Sequence, residues 1–163
     1  MQRNSDRTQS SRHSRTPCAF RGISLKSSLH ILVADRNPHV REFIKREMAA
    51  EGHRIDIAEN GRELLKRIFR DDTIDLLILD PDLPDAQESA LLTKLQDRLP
   101  YIPVVFHTFL SDYQNRLDIV NALGYVEKGA RSIEHLKRII SDFRKNTGPS
   151  TLDAVRKRKQ PGK

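Results

Sequence analysis

One feature constrains the fold of this chain more than any other: five short apolar runs alternate with stretches of helical periodicity, within residues 29–146. The runs are "HILVAD", "RIDIA", "IDLLIL", "YIPVVFH" and "YVEK". The first helical stretch is "NPHVREFIKREMAAEG". Asn37 suits its cap, Pro38 its first position and Gly52 its exit, and Val40, Phe43, Ile44 and Met48 share one face. "NGRELLKRIF" follows, with Leu64, Leu65 and Ile68 inward, and then "ESALLTKLQDRL". "SDYQNRLDIVNALG" is the fourth helix, with Ser111 as cap. "SIEHLKRIISDFRK" is the last, with Ile133, Leu136, Ile140 and Phe143 inward. Strand and helix in strict alternation predict a parallel sheet with helices on both faces, because parallel strands are joined only by crossovers. Right-handed crossovers leave few topologies.

Charge bounds the rest. The formal net charge is +7, but residues 1–28 hold six Lys/Arg against one acid and residues 147–163 hold five against one. The segment between has 18 basic and 20 acidic residues. The basic character therefore belongs to two tails, read as a disordered N-terminal tail over 1–28 and a C-terminal tail over 147–163. Nucleic-acid binding is not expected of the folded segment. "RKRK" at 156–159 reads as a solvated tail, and the residues after the last helix are too few for a helix-turn-helix. Cys18 is the single cysteine, so no internal disulfide forms, which fits a reducing, cytoplasmic setting. No apolar run is long enough to span a membrane. There is no glycine-rich nucleotide motif and no metal-ligand histidine spacing.

In open parallel sheets, ligands bind beyond the carboxyl ends of the strands. There the first strand delivers Asp35 and Arg36, the third Asp80, the fourth His107 and Thr108, and the fifth Lys128. An acid after a strand is most often a turn former, and a lone lysine is most often solvated. Acids, a hydroxyl and a lysine from four separate strand ends point to one chemistry. An Asp is the nucleophile for a phosphoryl group, and a cation and hydroxyl receive its oxygens.

These residues resemble the receiver domain of response regulators, of the stand-alone chemotaxis type. The match is carried by "ILVAD" with Pro38, "LLILDPDLP" with its Asp-x-x-x-Pro spacing, Thr108 after "PVVFH", and "YVEK". The resemblance covers residues 29–146. It implies a flavodoxin-like (βα)5 doubly wound α/β sheet with strand order 2-1-3-4-5. It implies Asp80 as phosphoacceptor, Thr108 and Lys128 as the groups gripping the phosphoryl, and Tyr125 as the switch aromatic. It implies Mg²⁺ held by Asp35, Asp80 and the backbone carbonyl of Asp82. Its partners would be a histidine kinase or phosphotransfer protein and a downstream protein target, with homodimerisation through the face of the fourth helix, fifth strand and last helix. The chain would act by protein contact rather than as an enzyme, apart from its own phosphorylation and dephosphorylation.

Three positions depart from the family pattern. Arg36 replaces the second acid beside the metal, a change of two charge units. Unit charges about 4 Å apart interact by roughly 4 kcal/mol at an intermediate dielectric. Arg36 thus weakens the metal, pairs with Asp80 or Asp82 as a cation in its place, or extends into water. Gly129 replaces a proline after Lys128. Phe109 follows Thr108 where a small residue is common, and either narrows the route to Asp80 or faces a partner. The alternative reading is therefore a pseudo-receiver, an interaction module independent of phosphate. A phosphatase of the haloacid-dehalogenase type is set aside, because Asp80-x-Asp82 stands on the third strand and no acidic pair follows Lys128.

Overall fold

The computed structural model describes residues 28–71, 73–98, 101–109 and 122–146. Five strands form one parallel sheet: β1 (His30–Ala34), β2 (Arg54–Ala58), β3 (Leu76–Leu79), β4 (Val104–Thr108) and β5 (Ala122–Glu127). The order is β2-β1-β3-β4-β5. Four helices are described: α1 (Pro38–Ala50), α2 (Gly61–Arg70), α3 (Glu88–Asp97) and α4 (Ser132–Asn146). None is long and apolar enough to cross a membrane.

The strand period of two sorts each strand onto two faces. Leu32, Leu77, Leu79, Val104 and Phe106 face α2 and α3, packing on Leu64, Ile68, Leu91 and Leu95. Ile31, Val33, Leu76, Ile78 and Val105 face α1 and α4, packing on Ile44, Met48, Leu136 and Ile140. Central strands buried on both faces need continuous apolar runs, which is what "LLIL" and "ILVA" supply. Full burial of each such side chain is worth about 1.5–3 kcal/mol.

The α1 signals hold. Asn37 Oδ1 accepts from the backbone N–H groups of His39 and Val40, and Gly52 leaves the helix at φ 86°. Two expectations need correction. Phe43 is 41% exposed, and Arg41 takes a buried place on α1 instead, donating to the backbone carbonyls of Asp35 and Arg36. The fourth helix was expected through Gly124, yet 122–124 belong to β5, which enters the sheet with an irregular register opposite Val104 and Val105. The rest of that expected helix, the whole C-terminal tail (147–163) and residues 1–27 lie outside the described residues.

Candidate functional site

The site lies at the carboxyl ends of β1, β3, β4 and β5. In-register parallel pairing brings Ala34 beside Leu79, so Asp35 and Asp80 leave the sheet side by side. Asp80 is fixed by its backbone N–H donating to Ala34 O at 2.8 Å. Lys128 N donates to Thr108 O at 2.9 Å, which ties the β5 exit to the end of β4.

Lys128 joins the two acids. Its Nζ lies 2.7 Å from Asp35 Oδ2 and 2.5 Å from Asp80 Oδ2, and all three side chains are buried. The other oxygen of each acid takes a backbone N–H. Asn37 N donates to Asp35 Oδ1 at 2.8 Å and Asp82 N to Asp80 Oδ1 at 3.1 Å. Two carboxylates this close repel, and a shared buried ammonium offsets that repulsion. Below them, Arg41 Nη1 holds the carbonyl oxygens of Asp35 and Arg36 at 2.6 and 3.1 Å. Arg41 escaped sequence reading because an arginine on an amphipathic helix ordinarily marks the solvent face.

Of the residues expected at the site, Asp35, Asp80 and Lys128 are in direct contact. Thr108 ends β4 and meets Lys128 through its backbone. Asp82 is exposed in the loop after β3 and pairs with Arg36, Nη1 to Oδ2, at 2.8 Å. Tyr125 is half-buried and stacked on Phe106, with centroids 4.9 Å apart and planes 12° apart. Phe109 is 67% exposed, and its ring centroid lies 5.3 Å from Lys128 Nζ, a cation–π contact at the rim.

His107 is the residue whose environment the sequence did not show. It is buried behind the acids, with Nδ1 4.0 Å from Asp35 Oδ2, and neither ring nitrogen has a hydrogen-bond partner among the described residues. Burial, and then the nearby Lys128 charge, push it down from 6.5 to about 4, against the opposing pull of Asp80. The ring is therefore neutral at physiological pH.

A hard divalent cation needs oxygen donors and an excess of negative charge. Here the two carboxylate oxygens that converge already hold Lys128, and Arg36 stands on Asp82. Asp35, Asp80 and Asp82 against Lys128 and Arg36 leave one net negative charge. An acid at position 36 would leave three. The residues present do not fit a tightly held Mg²⁺. A second acidic group, His30 with Asp56 and Asp71, lies at the opposite end of the strands. It offers no alternative seat, because His30 Nε2 is on Asp56 Oδ2 and Nδ1 on Thr73 Oγ1, each at 2.9 Å.

Comparison with known proteins agrees with this fold. PhoP of Salmonella typhimurium, a virulence transcriptional regulatory protein, is 26% identical over 122 residues, covering 74% of this chain and 54% of PhoP. The chain thus spans about half the length of such curated relatives. The response regulator TrrA of Thermotoga maritima, in a crystal structure with Mg(2+)-BeF, is 32% identical with a TM-score of 0.62, over 70% of this chain and 97% of TrrA. TrrA in complex with the histidine kinase ThkA matches at 30% identity and a TM-score of 0.61, over the same shares of the two chains. Mg²⁺ and phosphorylation are typical of the family. The family model described as the response regulator receiver domain matches residues 31–140, and the chain belongs to that family of two-component receivers.

Proposed function

We propose that this receiver accepts a phosphoryl group on Asp80 from a histidine kinase or phosphotransfer protein, and signals by protein contact. The observation that carries the reading is the ammonium of Lys128 held between Asp35 and Asp80 at the carboxyl ends of the strands. Buried on a rigid strand end, Asp80 keeps one oxygen on Lys128 and the other on the Asp82 N–H. Phosphoryl transfer asks for little beyond alignment and positive charge around the equatorial oxygens. Lys128 supplies that charge when it swings from the carboxylates to the phosphoryl, and the Thr108 hydroxyl is the nearby donor. Loss of the Lys128 contact to Asp80 then biases the end of β5, with Tyr125 three residues earlier as the moving aromatic. The output face would be the side of β5 and α4, used for a downstream target or a second copy. The action is that of a cytoplasmic phosphoacceptor, not of an enzyme with its own substrate.

The test is intact mass after incubation with acetyl phosphate or a phosphorylated histidine kinase, beside Asp80→Asn. A phosphoryl adduct on the natural protein and none on Asp80→Asn is the expected result. Arg36 on Asp82, where the family carries an acid, favours a second reading as a phosphate-independent module. That reading requires no adduct from any donor, and partner binding unchanged in Asp80→Asn.

A further inference from the structure

We propose that Arg36 is the second cation of the phosphoryl pocket, contacting the phosphoryl group on Asp80 so that uptake proceeds without a divalent ion. The inference rests on the reading of Asp80 as phosphoacceptor and adds a residue and an ion requirement to it.

Three observations carry it. First, Arg36 makes an ion pair at the mouth of the site. Its guanidinium lies 2.8 Å from the Asp82 carboxylate, and the backbone N–H of Asp82 donates to Asp80. Second, that anchor is exchangeable. Arg36 and Asp82 are 56% and 65% exposed, and exposed ion pairs hold weakly. Trading Asp82 for phosphoryl oxygens returns Asp82 to water at little cost, and a planar guanidinium binds phosphate in a two-pronged way. Third, the Arg36 backbone is fixed. Its carbonyl and that of Asp35 are both held by buried Arg41, so the side chain pivots from a firm base.

The reaction balances without a metal. One oxygen of the Asp80 carboxylate forms the bond to phosphorus with a lone pair. The P–O bond of acetyl phosphate breaks, and its electron pair leaves with acetate. With a phosphohistidine donor the P–N bond breaks instead, and the imidazole takes a proton from water. Lys128 and Arg36 receive the charge on the phosphoryl oxygens. Asp80 enters as the carboxylate and releases no proton.

The experiment uses the full chain stripped of metal, with Arg36→Gln, Arg36→Asp and Asp80→Asn beside it. Adduct formation from acetyl phosphate is followed by intact mass in EDTA and in excess Mg²⁺, and Mg²⁺ binding is measured separately by calorimetry. The expected result is uptake by the natural protein in EDTA at a rate close to that in Mg²⁺. Arg36→Gln should lose about tenfold or more in EDTA, and Arg36→Asp should need Mg²⁺ and bind it about tenfold more tightly than the natural protein. Uptake by the natural protein only in Mg²⁺ overturns the inference and leaves Asp80 as phosphoacceptor intact. Undiminished uptake by Arg36→Gln in EDTA removes Arg36 from the role. No adduct on any variant, from acetyl phosphate or a phosphorylated kinase, fails the phosphoacceptor reading itself and the inference with it.

Discussion

Lys128 carries a large electrostatic load, because its ammonium stands between two buried carboxylates. Removing one partner of a buried ion pair typically costs about 3–5 kcal/mol, since the charge left behind stays desolvated. Lys128→Met should therefore lower urea-unfolding stability by about that amount at neutral pH. Adding Asp80→Asn to it should recover part of the loss by removing one of the two stranded charges. A loss below about 1 kcal/mol for Lys128→Met would mean that water reaches the acids freely. His107 gives a pH signature. Its folded value of about 4 lies below the ordinary 6.5, so the unfolded chain takes up this proton first as pH falls. The contribution is fully present above about 6.5 and is lost as pH drops towards 4, to a limit of about 3 kcal/mol. Unfolding titrations at pH 7.5 and pH 5 should show a smaller drop for His107→Leu than for the natural protein, and equal drops would sink the assignment. At this scale Asp35, Asp80 and Lys128 were legible in the sequence because strand ends converge by topology. The burial of His107 and Arg41 was not, since it depends on how side chains from separate segments pack.

Among the elements, α2 shows how neighbours complete one another. Its first N–H groups are taken by Asp85 of the β3–α3 loop, Oδ1 from Gly61 N at 2.6 Å and Oδ2 from Arg62 N at 3.1 Å. Near its other end, buried Arg98 donates from Nε to Ile68 O at 2.8 Å. A carboxylate at the start and a guanidinium at the finish are what the helix dipole favours. The loop that begins at Asp80 is thereby fastened to α2 at Asp85. Asp85→Ala should cost about 1 kcal/mol, as loss of a helix cap does. Gly61→Ala is the sharper test. In a helix Ala ordinarily gains up to about 1 kcal/mol over Gly. Here the added Cβ would meet Ala86 Cβ at 2.5 Å, so the change should instead destabilise by about 1–3 kcal/mol in thermal or urea unfolding. A more stable Gly61→Ala protein would show that the loop yields easily and that the fastening is slack. The helix itself was legible from the spacing of Leu64, Leu65 and Ile68, because periodicity is local. The Asp85 contact spans 24 residues and has no local signature. The true start of β5 was hidden for a similar reason: "ALG" continues a helical pattern and becomes strand only by pairing with β4.

At the scale of the whole molecule, fold and charge are separated along the chain. Both core clusters are built from residues between Leu29 and Phe143, so the sheet and its helices carry their own packing. The same span is close to electrically balanced, with 18 basic and 20 acidic residues over 29–146, while the ends hold the excess that makes the chain basic overall. Counterion release makes the salt dependence of log affinity for nucleic acid scale with the number of cations that reach phosphates, so affinity falls steeply with salt. Such affinity should therefore reside in residues 1–28 and 147–163 and be non-specific. The check is a filter-binding or gel-shift comparison of the full chain with residues 29–146, on unrelated DNA sequences at low and physiological salt. The full chain should bind weakly, without sequence preference, and release as salt rises, and the 29–146 form should not bind at all. Salt-resistant or sequence-selective binding by the 29–146 form would place a recognition surface on the sheet or its helices, and would contradict the view that this receiver works through protein contacts.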